Sequence, residues 1–254
     1  MKQHQLMKRN RDCSARVALI TGAGRRIGAV IANHLHQTGY RVAIHCHRSK
    51  EDANALCSRL NLQRPDSATV FVADLTKKND TQSLINDTLD WAGQIDVLVN
   101  NASLFKPTYF EEPNDLLWNT MFAINVQAPF WLSLAARASL ARQQGSIINI
   151  TDIHAETALK GYAEYCQTKA ALAMQTKALA REFAPDIRVN AIAPGAIAWP
   201  EGENKLSDEQ QEHIIAKTLL KRHGEAIYIA QATLSLINNP FITGQSLRVD
   251  GGRI

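Results

Sequence analysis

Apolar runs of strand length alternate with helix-period segments along this chain, and that alternation constrains the fold more than any other feature. Strand-type runs are read at 15–21, 41–45, 68–72, 95–99, 146–150, 187–191 and 246–249. Helical periods fill 27–37, 51–60, 81–92, 116–141, 161–183, 207–220 and 225–237. A helix between successive strands permits parallel pairing through right-handed crossovers. The expected class is therefore α/β, with a single doubly wound parallel sheet and helices on both faces. Such sheets bind ligands beyond the carboxyl ends of their strands, so the loops after the strands are where chemistry is sought.

A chain of 254 residues can form one large α/β domain or two small ones. No linker-like stretch, charge block or internal repeat divides it, so one domain is expected over 15–254, preceded by a flexible tail over 1–14. Lys2, Lys8, Arg9 and Arg11 make that tail basic, which reads as a solvated segment and not as a nucleic-acid arm. The remaining basic residues are scattered, and a formal net charge of +4 is too modest to imply a polyanionic partner. No stretch approaches the ~20 apolar residues of a membrane span, and no apolar run precedes a cleavage site. Cys13, Cys46, Cys57 and Cys166 form neither a CxxC pair nor a metal-ligand spacing. Reduced thiols in a cytoplasmic protein are expected.

The first strand runs into Thr21-Gly22-Ala23-Gly24-Arg25-Arg26-Ile27-Gly28, and a helix follows directly. Glycines at a strand-to-helix turn let the backbone approach a diphosphate, which then rests on the helix N-terminus. The second strand ends in His45-Cys46-His47-Arg48-Ser49, without the acid that would hold a ribose 2′-hydroxyl. Arg48 suits a 2′-phosphate instead, with Ser49 as a further donor and Arg26 as a second cation. NADPH is the cofactor this pattern favours. His45 and His47 share a strand face, but no third ligand is in view and no metal is expected.

Tyr165 and Lys169 lie four residues apart in a helical segment and so project from one face. An ammonium beside a phenol stabilises the phenolate, so this reading expects a lowered Tyr165 pKa. Asp152 stands thirteen residues before Tyr165, at the end of the strand Ile148-Asn149-Ile150 and Thr151.

Taken in order, these motifs resemble the short-chain dehydrogenases/reductases over nearly the whole chain, which implies a single Rossmann-type sheet. The resemblance implies that Asp74, followed by Leu75, contacts the adenine, and that Asn100-Asn101-Ala102-Ser103 borders the cofactor. It makes Asn125 the helix asparagine that supports the lysine's water relay. It places the Asn190 to Gly195 loop, with Pro194 and Ile197, under the nicotinamide. The implied cofactor shell also takes in Gly22, Arg26, Ile27, His47, Arg48, Ser49, Tyr165 and Lys169.

The departures point further. Asp152 stands where most of the family carries a catalytic serine, Arg26 replaces a glycine, Ser103 replaces a glycine, and Trp199 replaces a threonine. Together with Phe105 close behind Ser103, they resemble the pteridine reductases. That resemblance implies catalysis by Asp152, Tyr165 and Lys169, with Asn125 in support. The substrate is then a dihydropterin such as dihydrobiopterin or dihydromonapterin, or a folate, held by Ser103, Phe105, Asp152, Tyr165 and Trp199. The alternative is an NADPH-dependent carbonyl reductase, for example of 3-oxoacyl thioesters.

Phe105 is read as a stacking face or as a core phenylalanine, Trp199 as a ligand contact or a core or interface residue. His154 is read as tuning Asp152 or as facing solvent. Residues 199–204 are polar and turn-rich, as expected of a lid. The resemblance also implies a homotetramer built through the two long helices.

Overall fold

A computed structural model describes residues 15–199 and 205–253. The tail over 1–14 and, apart from Trp199, the lid expected over 199–204 lie outside the described residues. Seven strands, β1 (Val17–Ile20), β2 (Arg41–Cys46), β3 (Ala68–Val72), β4 (Val97–Asn100), β5 (Ser146–Ile150), β6 (Arg188–Pro194) and β7 (Ser246–Val249), form one sheet. Its order is β3-β2-β1-β4-β5-β6-β7, and every pairing is parallel. The order reverses between β1 and β4, and the crevice outside their carboxyl ends is where such a sheet takes its ligand.

Helices cover both faces because the buried central strands are apolar on both. One core packs α1 (Arg26–Gln37), α2 (Lys50–Gln63) and α8 (Ala226–Asn238) through Ile31, Leu35, Leu56, Ile229 and Leu236 against Ile20, Ile44 and Val99. The other packs α3 (Lys78–Ala92), α5 (Ala128–Gln143) and α6 (Ala163–Phe183) through Leu84, Leu132, Leu140 and Phe183 against Leu19, Leu98 and Ile147. Fully burying an aliphatic side chain of this kind contributes about 1.5–3 kcal/mol before chain entropy is charged against it. No helix among the described residues is long and apolar enough to cross a membrane.

Two expected helices differ: the one read over 207–220 ends at Ala216, and the one read over 116–141 is interrupted. The helix read over 116–141 is α4 (Asp115–Phe122), then a π-helical segment Ala123–Gln127, then α5. Asn114 caps α4 by accepting the Leu117 N–H. The apolar period continues through the insertion, so it leaves no trace in the hydropathy pattern. The short α7 (Asp208–Ala216) begins at a reciprocal capping box between Ser207 and Gln210.

Candidate active site

The glycine-rich turn leaves β1 with Gly22 at φ +62, and no side chain fits there, since a Cβ would lie 2.9 Å from Ala102 Cα. A Cβ on Gly28 would sit 2.4 Å from Gly22 O, and one on Gly24 would sit 2.5 Å from Ser49 Oγ. The turn is therefore packed backbone to backbone against the loops after β2 and β4. Thr21 Oγ1 accepts the Asn101 and Ala102 N–H groups at 3.0 Å, and Asn101 Nδ2 donates to Thr21 O and Gly22 O at 2.9 and 3.1 Å. Asn101 and Ala102 thus hold the turn in shape. No acidic residue occupies the first turn of α1, so its exposed N–H groups and helix dipole favour an anion. This cradle fits a dinucleotide diphosphate.

His45 belongs to this cradle, which sequence reasoning missed. Its ring is 2% exposed, Nδ1 accepts the Gly22 N–H at 3.1 Å, and Nε2 lies 3.2 Å from Ala73 O. An accepting Nδ1 puts the proton on Nε2, which then donates to Ala73. Burial pushes the imidazole pKa down to about 4, opposed by the Ala73 bond and assisted by the charge of His47. His45 is a neutral bridge between the glycine turn and the end of β3. The paired-histidine metal geometry is not realised, and no metal-type cluster occurs among the described residues. His47 and Arg48 are exposed at the end of β2, with Ser49 beside the turn. Asp74 follows β3, and its Oδ1 accepts the hydroxyl and N–H of Thr76 at 2.7 and 3.1 Å, so its pKa is lowered chiefly by the Thr76 hydroxyl. A fixed carboxylate at that place can accept from an amino group. Leu75 behind it is buried.

Arg26 departs from the cation role expected beside Arg48. Its φ is +55, the left-handed region that favours glycine, at a cost of roughly 1–2 kcal/mol for a side-chain-bearing residue. Its Nη2 donates to Ala198 O at 3.0 Å and Trp199 O at 2.9 Å, so it reaches the loop after β6. In that loop Ile197 is buried, Gly195 lies against Asp250, and Trp199 packs against His223 with centroids 4.5 Å apart and the rings tilted by 33°.

The reacting groups meet at the carboxyl end of β5. Tyr165 Oη donates to Asp152 Oδ2 at 2.7 Å, and Lys169 Nζ donates to Ile150 O at 2.9 Å. Both helix residues are buried, Lys169 only 2% exposed. Burial, then the Asp152 charge and hydrogen bond, raise the Tyr165 pKa well above its ordinary value. This corrects the lowered pKa expected from Lys169. The ammonium lies 5.6 Å from the Tyr165 ring centroid and is bonded elsewhere, whereas the carboxylate touches the hydroxyl. Burial brings Lys169 down to about 8, with Asp152 opposing. Tyr165 is therefore a held proton donor, and Asp152 its acceptor.

Asp152 Oδ1 accepts the His154 backbone N–H at 2.9 Å, while the His154 ring lies 2.8 Å from Thr157 O. His154 thus meets Asp152 through its backbone, while its half-buried ring is bonded to Thr157.

Asn125 is 1% exposed in the π-helical segment. Its Oδ1 accepts Leu104 N–H at 2.7 Å and Ser103 Oγ–H at 3.2 Å, and its Nδ2 donates to Leu104 O and Thr168 Oγ1 at 3.0 Å each. The amide is thus spent on fixing the loop after β4 to α6. The loop so fixed carries Phe105, whose ring stacks on Tyr162 (4.4 Å, 9°) and meets Tyr165 edge-on (4.7 Å, 86°). Phe105 therefore lies directly against Tyr162 and Tyr165.

A glycine-rich anion cradle after β1 and a buried Tyr-Lys pair beside a polar group after β5 lie at the carboxyl end of one parallel sheet. The family profile described as Enoyl-(Acyl carrier protein) reductase matches residues 22–253. The chain belongs to the short-chain dehydrogenase/reductase family. It is 34% identical over 239 residues to the 3-oxoacyl-[acyl-carrier-protein] reductase FabG of Staphylococcus epidermidis, covering 92% of this chain and 97% of that protein. It is 34% identical over 245 residues to Nodulation protein G of a Rhizobium species, covering 95% and 98%. Among solved structures it resembles a blue fluorescent protein from a metagenomic library in complex with NADPH, with a TM-score of 0.87 and 32% identity over 95% of this chain and 99% of the other. In this family the nicotinamide cofactor supplies hydride, so this chain's own residues bind, orient and move the proton.

Proposed function

We propose that this protein is an NADPH-dependent reductase of dihydropterins, with dihydrofolate as a secondary substrate. The observation that carries the reading is the 2.7 Å hydrogen bond from Tyr165 to Asp152. Reduction of a ring C=N bond adds hydride to carbon and a proton to nitrogen. Tyr165 donates that proton from its neutral phenol, and Asp152, already its hydrogen-bond partner, stands to return one from solvent. Lys169 orients the nicotinamide ribose and carries a positive charge near the departing proton. Phe105 and Tyr162 offer flat apolar faces to a flat heteroaromatic ring. NADPH is supported by the acid-free end of β2 with Arg48 and Ser49, and by the NADPH complex of the structural neighbour.

A second reading is reduction of 3-oxoacyl thioesters, and the names of the relatives, 3-oxoacyl-[acyl-carrier-protein] and ketoacyl reductases, support it over the pterin reading. There the proton from Tyr165 would go to a carbonyl oxygen. Asp152 weighs against it, because a carboxylate repels the oxyanion that a hydroxyl donor would stabilise. A homotetramer built through α4, α5 and α6 belongs to the same proposal and is open to sedimentation analysis. The purified enzyme should oxidise NADPH with dihydrobiopterin and be slow with an acetoacetyl thioester. Turnover of the thioester far above that of any pterin or folate would replace the first reading by the second.

A further inference from the structure

We propose that Arg26 is a positioning residue that couples NADPH binding in the glycine-rich turn to the placement of the substrate-side loop over 195–199. The inference rests on the NADPH reading above. Arg26 begins α1, where the diphosphate would settle, yet its Nη2 protons are given to the carbonyls of Ala198 and Trp199 at 3.0 and 2.9 Å. A left-handed non-glycine residue persists only where its surroundings over-determine it, and φ +55 places Arg26 among such residues. The guanidinium is a rigid plane with five N–H donors, so anchoring Nη2 also fixes the direction of Nη1 and Nε. One side chain, rooted by its backbone in the cofactor's turn, thereby reaches across to hold the loop after β6.

The loop is also gripped from its far side. Trp199 packs at a tilt against His223, whose Nε2 is buried without a hydrogen-bond partner, so its contribution there is the ring contact. Gly224 N–H donates to Ala196 O at 3.0 Å, and a Cβ on Gly224 would sit 2.4 Å from Ile197 Cδ1. Loosening that far grip should therefore be felt at the cofactor, chiefly through Arg26 and to a lesser degree through the loop's own place beside the nicotinamide. Reciprocity requires that a loop held in place strengthens cofactor binding as much as the cofactor strengthens the loop's placement.

A double-mutant cycle on NADPH affinity, read by nicotinamide fluorescence without any turnover, tests this. His223→Ala should weaken NADPH about fivefold in the native background. In an Arg26→Gly background the same change should have less than about a twofold effect. Arg26→Gly suits φ +55, so thermal melts should show it no less stable than the native chain. Trp199→Leu serves as a second loop variant and should repeat the pattern if His223→Ala fails to fold. Arg26→Lys should lose the coupling, since a single ammonium cannot reproduce the fork. Additive losses, or an Arg26→Lys protein that behaves as native, would overturn the inference. Failure of the native chain to bind NADPH at all would instead sink the cofactor reading and this coupling with it.

Discussion

Acidification should release the glycine-rich turn through His45. The folded imidazole is neutral with a pKa of about 4, against about 6.5 in an unfolded chain. Between those values the unfolded state binds more protons, so stability is full above pH 6.5 and falls as pH drops toward 4. Linkage with these two values gives a loss of roughly 2 kcal/mol at pH 5 and about 3.4 kcal/mol once both states are protonated. The stability change has a local form, since a protonated Nδ1 can no longer accept the Gly22 N–H at 3.1 Å and presents a positive charge to it.

His45→Asn removes the titration and keeps a carbonyl acceptor near Gly22. Urea denaturation of both proteins at pH 7.5 and pH 5 isolates the effect, because the carboxylates contribute alike to each. The native protein should lose about 2 kcal/mol more than the variant on acidification. NADPH affinity of the native protein should weaken over the same window. Equal losses in the two proteins, or an NMR-determined His45 pKa near 6.5, would refute the argument.

Asp152→Ser should lower dihydropterin turnover by roughly 10²-fold, the scale of a lost acid–base group, while acetoacetyl thioester turnover holds or rises. Steady-state kinetics on both substrates reads this. Tyr165→Phe should abolish turnover yet change NADPH affinity by less than about threefold, because the phenol's one hydrogen bond is to Asp152 and its role is proton donation. Lys169 loses its charge near pH 8, so kcat/KM should decline above about that pH. Lys169→Met should abolish that limb together with most of the activity. Asn125→Ala strands Leu104 and Thr168 polar groups in the interior. At 1–3 kcal/mol for each unpaired group, stability should fall by ~3 kcal/mol, a drop of roughly 6–12 °C in Tm by calorimetry.

The sequence was most legible where a signal is local. β3, β5 and β7 occur over the residues their apolar runs mark, and the i, i+4 spacing brings Tyr165 and Lys169 to one face of α6. Spacing could not say which charge would reach the phenol. Asp152 is thirteen residues away in sequence and 2.7 Å away in space, because β5 ends beside the first turns of α6. The same blindness hid His45, which the sequence shows only as sharing a strand face with His47 and whose burial depends on β3 and the glycine turn closing over it. It hid the π-helical segment too, since an inserted residue alters hydrogen bonding without altering hydropathy.

Arg26 shows why such misses gather at the site. Its charge and its place in the turn argue for phosphate, while its partners lie 172 and 173 residues further on. Residues that serve the fold satisfy local rules of period and propensity. Those that serve the site break one local rule, here a left-handed arginine or a buried lysine, and are held in place by contacts made between distant segments. The broken rule is what sequence can reveal: a cation where glycine belongs marks Arg26 as functional, and only the fold shows that it points at a loop.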